Sequence, residues 1–172
     1  MRLFLYPALL VSSLGASLLA ESAGGIQWTA PANWKAQPER PMRAATYAVP
    51  AAAGDKESGE CAVFYFGPGQ GGDVNANVSR WLNQFEPNKP QAGQPKQRTI
   101  NGLKVTTIDH SGTYKASGGP MMQVTATKPD YRLLGAIVEA PQGNVFFKFT
   151  GPAGTVAAQS GAFEKLLQSI KK

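Results

Sequence analysis

Two tight turns in the second half of the chain constrain the fold most. Asn101-Gly102 separates the extended runs "RTI" and "LKVTTID", and Asn-Gly between such runs is the strongest short signal for a β-hairpin. "PQG", residues 141–143, separates "YRLLGAIVEA" from "NVFFKFTG" in the same way. Because tight turns join antiparallel strands, the sequence predicts an antiparallel sheet. Further strands are predicted in "IQWT", "MRAATYAVPA", "ECAVFYF" and "MMQVTAT".

Two segments have the spacing of amphipathic helices. The first is expected to begin after Asp73, a good N-cap, and to end at Pro87. Its apolar residues fall on one stripe: Val74, Val78, Trp81, Leu82 and Phe85. The second helix closes the chain, with Thr155 as its expected N-cap. Strands, a helix, more strands and a final helix predict an α+β domain with its helices packed on the sheet.

The closing helix is expected to turn one face to the sheet. Phe163, Leu167 and Ile170 should be buried there. The polar side chains on the other faces should reach water: Glu164, Lys165, Gln168 and Lys171. Pro152 and Gly154 are expected to keep the helix from starting earlier.

The N-terminus has the layout of a secretory signal peptide. Arg2 precedes an uncharged apolar run from Leu3 to Ala20, and small residues follow it. We therefore assign residues 1–22 to a signal peptide, cut after Ala20 or Ser22, and residues 25–172 to a single α+β domain. An uncleaved anchor is the alternative, because the run is nearly long enough to span a bilayer. The sequence thus predicts export, to the periplasm or the outside, with no membrane span once the signal is removed.

Charge and cysteine content narrow the choice of partners. The formal net charge is +6, yet the basic residues are scattered and only Lys171 and Lys172 are adjacent. A nucleic-acid-binding domain clusters its bases on one face, so nucleic acid is not predicted as a partner. Cys61 is the only cysteine, which excludes an intrachain disulfide. Within "ECAVFYF" it is expected to be a buried thiol.

The order of elements and the closing "NVFFKFTGPAGTVAAQSGAFEKLLQSI" resemble the PsbP-like family. The most specific part is the phenylalanine-rich strand, the turn at Thr150–Pro152 and the final helix. An early segment with Trp28, Pro31 and Trp34 is also similar to the start of these domains. The resemblance covers residues 26–170 and implies an α/β/α sandwich around an antiparallel sheet. It implies little about function, because members of this family serve as docking modules for unrelated partners.

The loop "GPGQGG" matches the dinucleotide-binding pattern G-x-G-x-x-G at Gly67, Gly69 and Gly72. A dinucleotide site needs a parallel βαβ unit and an acidic residue about 20 positions further on. Here a hairpin follows the helix, and "PNKPQAG" stands where the acid is needed. Asp73 at the helix start would also compete with a phosphate. We therefore predict that the loop is a connection rather than a phosphate site, and we predict no cofactor.

The remaining candidates for chemistry do not converge. His110 is the only histidine, and its neighbours Asp109 and Ser111 would point to the opposite face of a strand, so the three cannot form a triad. The carboxylates of "DKESGE" lack the ligand spacing of a calcium loop: Asp55, Glu57 and Glu60. The sequence predicts no catalytic residue and no metal ligand.

These negative findings, with the resemblance, predict a non-enzymatic binding or docking domain, and a protein of the cell envelope is its expected partner. Flexible loops that the hydrophobic pattern does not need are the expected contact edges. They contain Gly69, Gln70 and Gly71 in one loop and Gly118, Gly119, Met121 and Met122 in another.

Two alternatives stay open. The first is a carrier that holds a small ligand between sheet and helix, near aromatic residues such as Trp81 and Phe85, although these are more simply core residues. The second is an enzyme with a site around His110, which would need a pocket that also holds Asp130 or Glu139.

Overall fold

The computed structural model of the protein describes residues 20–86, 93–117 and 124–172. Within them lie nine strands and two helices: β1 (Ala20–Ala23), β2 (Ile26–Thr29), β3 (Lys35–Ala36), β4 (Arg43–Val49), β5 (Gly59–Tyr65), α1 (Val74–Leu82), β6 (Lys96–Ile100), β7 (Leu103–Ser117), β8 (Val124–Ala140), β9 (Gly143–Pro152) and α2 (Ala153–Gln168). Neither helix of the described residues is long and apolar enough to cross a membrane.

Seven strands form one antiparallel sheet in the order β3-β4-β5-β9-β8-β7-β6. β9 is therefore the central strand. Its consecutive residues Phe146 and Phe147 belong to separate cores, the first shared with Trp81 of α1 and the second with Phe163 of α2. The helices thus cover opposite faces of the sheet, which confirms the predicted α+β architecture with a helix layer on each side.

The turns that predicted the sheet are present. Asn101 and Gly102 have φ angles of 48° and 75°, the left-handed conformation that a two-residue hairpin turn requires. They join β6 to β7, whose residues Ile100 and Leu103 are paired. The second predicted turn joins β8 to β9, where Ala140 pairs with Gly143.

The pairing of β7 with β8 extends further than predicted. "MMQVTAT" and "YRLLGAIVEA" were expected as separate strands, but the part from Val124 to Ala140 is one strand. It pairs with β7 as far as Ser117, and a register shift between Gly112 and Tyr114 bends the ribbon without ending it. A bulge of this kind absorbs the irregular "KPD" segment, which is why the strand does not break there.

β1 has no counterpart among the predicted strands, because its residues fall in and beside the region assigned to the signal peptide. It forms a hairpin with β2, in which Ser22 pairs with Gln27. Gln27 also exchanges two main-chain hydrogen bonds with Lys171, at 2.8 and 3.0 Å. Residues 1–19, which hold most of the predicted signal peptide, lie outside the described residues.

The main core lies between the sheet and α2. Phe163, Leu167 and Ile170 are buried in it, as predicted, although the helix ends at Gln168 and Ile170 follows it. Leu166 is also buried, which the predicted stripe missed. Cys61 is fully buried in the same core, as predicted, and burial raises the pKa of its thiol.

The outer face of α2 carries a contact that the sequence did not predict. Glu164 reaches water, as expected, with 45% of its side chain exposed, and its carboxylate also accepts two hydrogen bonds from the guanidinium of Arg98 on β6, at 2.8 and 2.7 Å. This pairing lowers the pKa of Glu164. The side chain therefore ties the helix to an edge strand of the sheet.

The start of α2 also differs from the prediction. The helix begins at Ala153, directly after Pro152, so Gly154 does not delay it, and Thr155 lies in its first turn instead of capping it. The cap comes from a distant loop: Asp55 Oδ2 accepts hydrogen bonds from the Thr155 main-chain N–H and hydroxyl, both at 2.6 Å. The sequence pattern indicates only caps from neighbouring residues, so it could not predict a cap from a residue one hundred positions away.

We predict that Asp55→Ala lowers the free energy of unfolding by about 1–2 kcal/mol, the usual effect of losing a side-chain cap. The substitution removes the carboxylate that accepts hydrogen bonds from the main-chain N–H and the hydroxyl of Thr155, in the first turn of α2. Urea unfolding monitored by circular dichroism measures the effect. Lys56→Ala, next to Asp55 and exposed, is the control and should change stability by less than about 0.5 kcal/mol; equal losses in the two variants would contradict the capping role.

α1 begins as predicted and ends earlier. Asp73 is its N-cap and accepts a hydrogen bond from the Ala76 N–H at 2.9 Å. The helix stops at Leu82 because the chain then turns to pair with β7, through hydrogen bonds from Glu86 N to Thr113 O at 2.9 Å and from Lys115 N to Gln84 O at 2.7 Å. Phe85 is still buried, although it lies beyond the helix.

Candidate functional site: a basic and aromatic cleft

The two faces of the sheet are covered unequally. α2 has sixteen residues and α1 only nine. α1 packs toward β7 and β8, where Gly135 has no side chain to obstruct Trp81: a Cβ atom at Gly135 would collide with the indole ring and would come within 2.6 Å of Ile108. Neither helix covers the part of this face formed by β4, β5 and β9, and among the described residues an open cleft of about 540 Å³ lies between it and α1. We call it the α1 cleft.

Aromatic side chains make up much of the lining of the α1 cleft: Phe64, Phe66, Trp81, Tyr114 and Phe146. The rings of Phe64 and Phe66 are stacked, with their centroids 6.1 Å apart. The ring of Phe146 meets Phe66 edge-on at 5.8 Å. Phe64 and Phe66 are only partly buried, so they present apolar surface to whatever enters the cleft.

Cations dominate the charged part of the lining. Arg40, Arg43, Arg80 and Lys148 face the cleft, whereas Glu60 is the one acidic residue among the described residues of its lining. Glu60 is already paired, with Arg40 at 3.2 Å and with Arg43 at 2.8 Å. The guanidinium of Arg43 also lies over the ring of Phe64, 5.3 Å from its centroid. The lining therefore carries an excess of positive charge next to apolar surface.

Lys148 occupies the centre of this site. It stands in the middle of the central strand β9, and its cross-strand neighbours are the small residues Ala62 and Gly135. Its ammonium donates a hydrogen bond to the Tyr114 hydroxyl at 3.2 Å and lies 5.4 Å from the centroid of that ring. In the described part of the chain it has no carboxylate partner within ion-pair distance.

The pKa of Lys148 is lowered to about 8, because burial removes water from the charged ammonium. The nearby Glu60 acts in the opposite direction, and Arg43 adds to the lowering. A lysine whose pKa is shifted by burial inside a cleft is a candidate residue of a functional site. The arrangement suits an incoming anionic group, which would replace the lost hydration of the ammonium.

Gln84 adds a polar group to the cleft wall. Its side-chain carbonyl oxygen is buried and accepts no hydrogen bond from the described residues. Buried acceptors normally have a partner, so this unpaired oxygen is unusual.

The loop residues predicted as contact edges have different positions. Gly69 and Gln70 are exposed at the tip of the loop between β5 and α1. Gly71 instead has a structural role: its φ is +88°, and a Cβ atom there would lie 2.8 Å from Phe66 and 2.9 Å from Phe146. The loop thus borders the α1 cleft through Phe66. The other predicted residues, Gly118, Gly119, Met121 and Met122, lie outside the described residues.

The geometry around the glycine pattern is not that of a dinucleotide site. β5 pairs with β4 and β9, both antiparallel, and β6, the strand that follows α1, lies at the far edge of the sheet. The parallel βαβ unit that places a phosphate on a helix start is therefore not formed by these elements.

His110 lies away from the α1 cleft lining. Its ring packs edge-on against Phe85, 4.7 Å between centroids, and burial lowers its pKa, with Asp109 acting in the opposite direction. The carboxylate of Asp109 is held by Arg132 at 2.8 and 2.7 Å. Of the two acids considered as partners, Glu139 pairs with Lys104 at 3.0 Å and Asp130 is exposed with a φ of 53°.

The carboxylates of "DKESGE" are used one by one within the fold. Asp55 caps α2, Glu60 pairs with two arginines of the α1 cleft, and Glu57 accepts hydrogen bonds from Lys128 and from the Tyr131 hydroxyl. These contacts lower the pKa of Glu57, chiefly through Lys128. Among the described residues, no three acidic, histidine or cysteine side chains are grouped as metal ligands.

Comparisons with known proteins bear on the fold. No protein-family model matches the chain, and no curated protein matches it. The solution structure of cyanobacterial PsbP from Synechocystis is similar over 94% of this chain and 98% of that one, with a TM-score of 0.53 and 12% sequence identity. The chain has a PsbP-like fold. A protein of unknown function from Pseudomonas aeruginosa, described as a putative regulator, is similar over 90% of this chain and 96% of its own, with a TM-score of 0.48 and 15% identity.

The PsbP-like fold agrees with the family resemblance found in the sequence. At 12% identity the likeness concerns the path of the backbone and transfers no residue of a site. The α1 cleft is therefore argued from its own side chains alone.

Sequence reasoning missed the charged half of the α1 cleft. A signal was present in "NVFFKFTG", where Lys148 interrupts a run of buried aromatic residues. Strand alternation places Lys148 on the same face as Phe146 and opposite Phe147 and Phe149. A lysine at such a position needs a partner, a water-filled cleft or a function.

Proposed function

We propose that this protein is an exported, non-enzymatic binding domain, and that the α1 cleft holds a small ligand with an anionic group and an apolar or aromatic body. The observation that carries the proposal is the ammonium of Lys148, which lies among aromatic walls and has no carboxylate partner within the described residues. Export rests on the N-terminal sequence, where Arg2 precedes the apolar run from Leu3 to Ala20.

The dimensions of the cleft support a small molecule. Its volume of about 540 Å³ lies within the usual range of ligand pockets, roughly 300–1,000 Å³. Such pockets combine apolar walls with a few placed polar groups, and here Phe64, Phe66 and Phe146 supply the walls while Lys148 and Gln84 supply the polar groups.

Docking of an envelope protein is the second candidate. The exposed Gly69 and Gln70 favour it, since they stand at the tip of the loop that borders the α1 cleft. In that case the same cleft would take an acidic or aromatic side chain of the partner.

The full chain should bind anilinonaphthalene sulfonate, an aromatic anion, more tightly than phenylnaphthylamine, its uncharged counterpart. A hydrogen bond to a charged group contributes about 1.5–3 kcal/mol. Lys148→Met should therefore reduce the preference for the anionic probe at least about tenfold. Fluorescence titration of both probes measures the two dissociation constants.

Lys165→Met is the matched control, because Lys165 is an exposed lysine of α2 on the opposite side of the sheet. Its preference for the anion should stay within about twofold of the original protein. If both variants keep the same preference, the anion does not bind at Lys148 and the proposal is wrong.

A further inference from the structure

Lys148 has the surroundings of a reactive amine as well as those of an anion anchor. Its Nζ is in hydrogen-bond contact with a phenol, that of Tyr114, and it is not held by a carboxylate in the described part of the chain. Lysine becomes a nucleophile where apolar walls or neighbouring cations favour its neutral form. Both conditions are met in the α1 cleft.

The charged and titratable groups around Lys148 come from four elements or their flanking segments. Arg40 and Arg43 lie on and just before β4, Glu60 on β5, Arg80 on α1 and Tyr114 on β7. Glu60, the one anion among them, is shared between Arg40 and Arg43 and is not hydrogen-bonded to Lys148. The cations around Lys148 outnumber the acidic groups, and this favours the neutral amine, in agreement with the lowered pKa of Lys148, about 8.

We propose that Lys148 captures carbonyl compounds: its amine forms a reversible imine with an aldehyde or 2-oxo acid that carries an anionic group and an aromatic or apolar body. This inference rests on the binding role proposed for the α1 cleft and adds a covalent step to it. The arginines would hold the anionic group, and the phenylalanine rings would hold the body.

The step balances without an oxidant or a reductant. The nitrogen lone pair forms a bond to the carbonyl carbon, and the π electrons of the carbonyl move to its oxygen, which takes up a proton. The carbinolamine then loses water as the carbon–nitrogen double bond forms and the nitrogen gives up its protons. Tyr114, whose hydroxyl already contacts Nζ, is placed to relay a proton in both stages. Addition of water reverses the reaction.

The test uses the full chain, para-carboxybenzaldehyde as the probe and cyanoborohydride to trap the imine. Peptide mass spectrometry then compares labelling of Lys148 with labelling of the exposed Lys165 in the same sample. Near pH 7 the ratio should be at least tenfold in favour of Lys148, because far more of its amine is neutral. The ratio should fall toward one as the pH approaches 10.5, where ordinary lysines also lose their protons.

Further experiments test whether labelling of Lys148 depends on the folded α1 cleft and on the charge of the aldehyde. Unfolding in urea should bring the ratio to about one, since the effect depends on the cleft. A cationic probe, para-trimethylammoniobenzaldehyde, should give at least a tenfold lower ratio than the anionic one. Tyr114→Phe should slow labelling of Lys148 several-fold, while labelling of the exposed Lys165 in the same sample stays unchanged.

A ratio near one for the folded protein at pH 7 would overturn the inference. So would equal labelling of Lys148 by the anionic and cationic aldehydes. Either result leaves the proposed function standing if the noncovalent anion still binds in a manner that depends on Lys148. The two proposals therefore fail separately.

Discussion

Phe163→Ala is expected to lower the free energy of unfolding by about 3–5 kcal/mol, the usual result of truncating a buried phenylalanine. Phe163 is 4% exposed, and the centroid of its ring lies 5.9 Å from the ring centroid of Phe149 on the central strand. Since Phe149 is itself fully buried, the surrounding residues have little freedom to fill the space that the ring leaves. Urea denaturation gives the difference directly.

The loss is large because of where Phe163 stands. α2 is the longer helix, and its buried side chains close the main core against β8 and β9. A domain of this size has a total stability of roughly 5–15 kcal/mol, so the variant should be close to unfolding at moderate temperature.

Lys165→Ala is the matched control, two residues along the same helix and exposed. Its effect should stay within about 0.5 kcal/mol. Equal stabilities for the two variants would mean that α2 turns a different face to the sheet.

The parts of the fold that depend on neighbouring residues were accessible from the sequence. Asn101 and Gly102 determine a hairpin because few other residues adopt their left-handed backbone conformation, and the turn follows from the dipeptide alone. Asp73 could be recognised as an N-cap because the N–H that it satisfies lies three residues away. The apolar stripe of α2 identified its buried face for the same reason.

Contacts that join distant segments of the chain could not be predicted from the sequence. Asp55 caps a helix one hundred residues further along the chain, and Arg98 holds Glu164 from an edge strand. These contacts depend on the sheet order, which no local pattern encodes. The α1 cleft belongs to this class, since it exists only because α1 is short and Gly135 lets Trp81 settle to one side.

Lys148 combines a feature that the local sequence contains with one that depends on distant segments. Its alternation with the phenylalanines of β9 was a signal for its face of the sheet that the sequence analysis did not use, and the cleft on that face depends on the length and position of α1. The sequence thus contained a sign that Lys148 is unusual, and its surroundings became visible only in the structure.

Lys148→Met is expected to raise the free energy of unfolding by about 1–3 kcal/mol near pH 7, because it replaces a partly desolvated charge by an apolar side chain of similar length. The gain should depend on pH in a defined way. Below pH 8 both the folded and the unfolded protein keep the proton on Lys148, so the full penalty of the charge is present. Between pH 8 and about 10.4 the folded protein releases this proton while the unfolded chain keeps it, so the unfolded state binds more protons and the original protein becomes more stable as pH rises.

The difference between the two proteins should therefore shrink through this window and approach a constant value above it. Groups that are remote from Lys148 titrate equally in both proteins, so subtraction removes their contribution and leaves that of Lys148 with its neighbours Glu60, Arg43 and Tyr114. Urea unfolding at several pH values from 6 to 10.5 measures the difference, and Lys165→Met should show no such trend. A difference that stays constant over the whole range would show that Lys148 keeps an ordinary pKa in the folded protein. Removing the Lys148 side chain should thus raise the free energy of unfolding and weaken anion binding. A side chain that costs stability but is needed for binding serves function rather than stability.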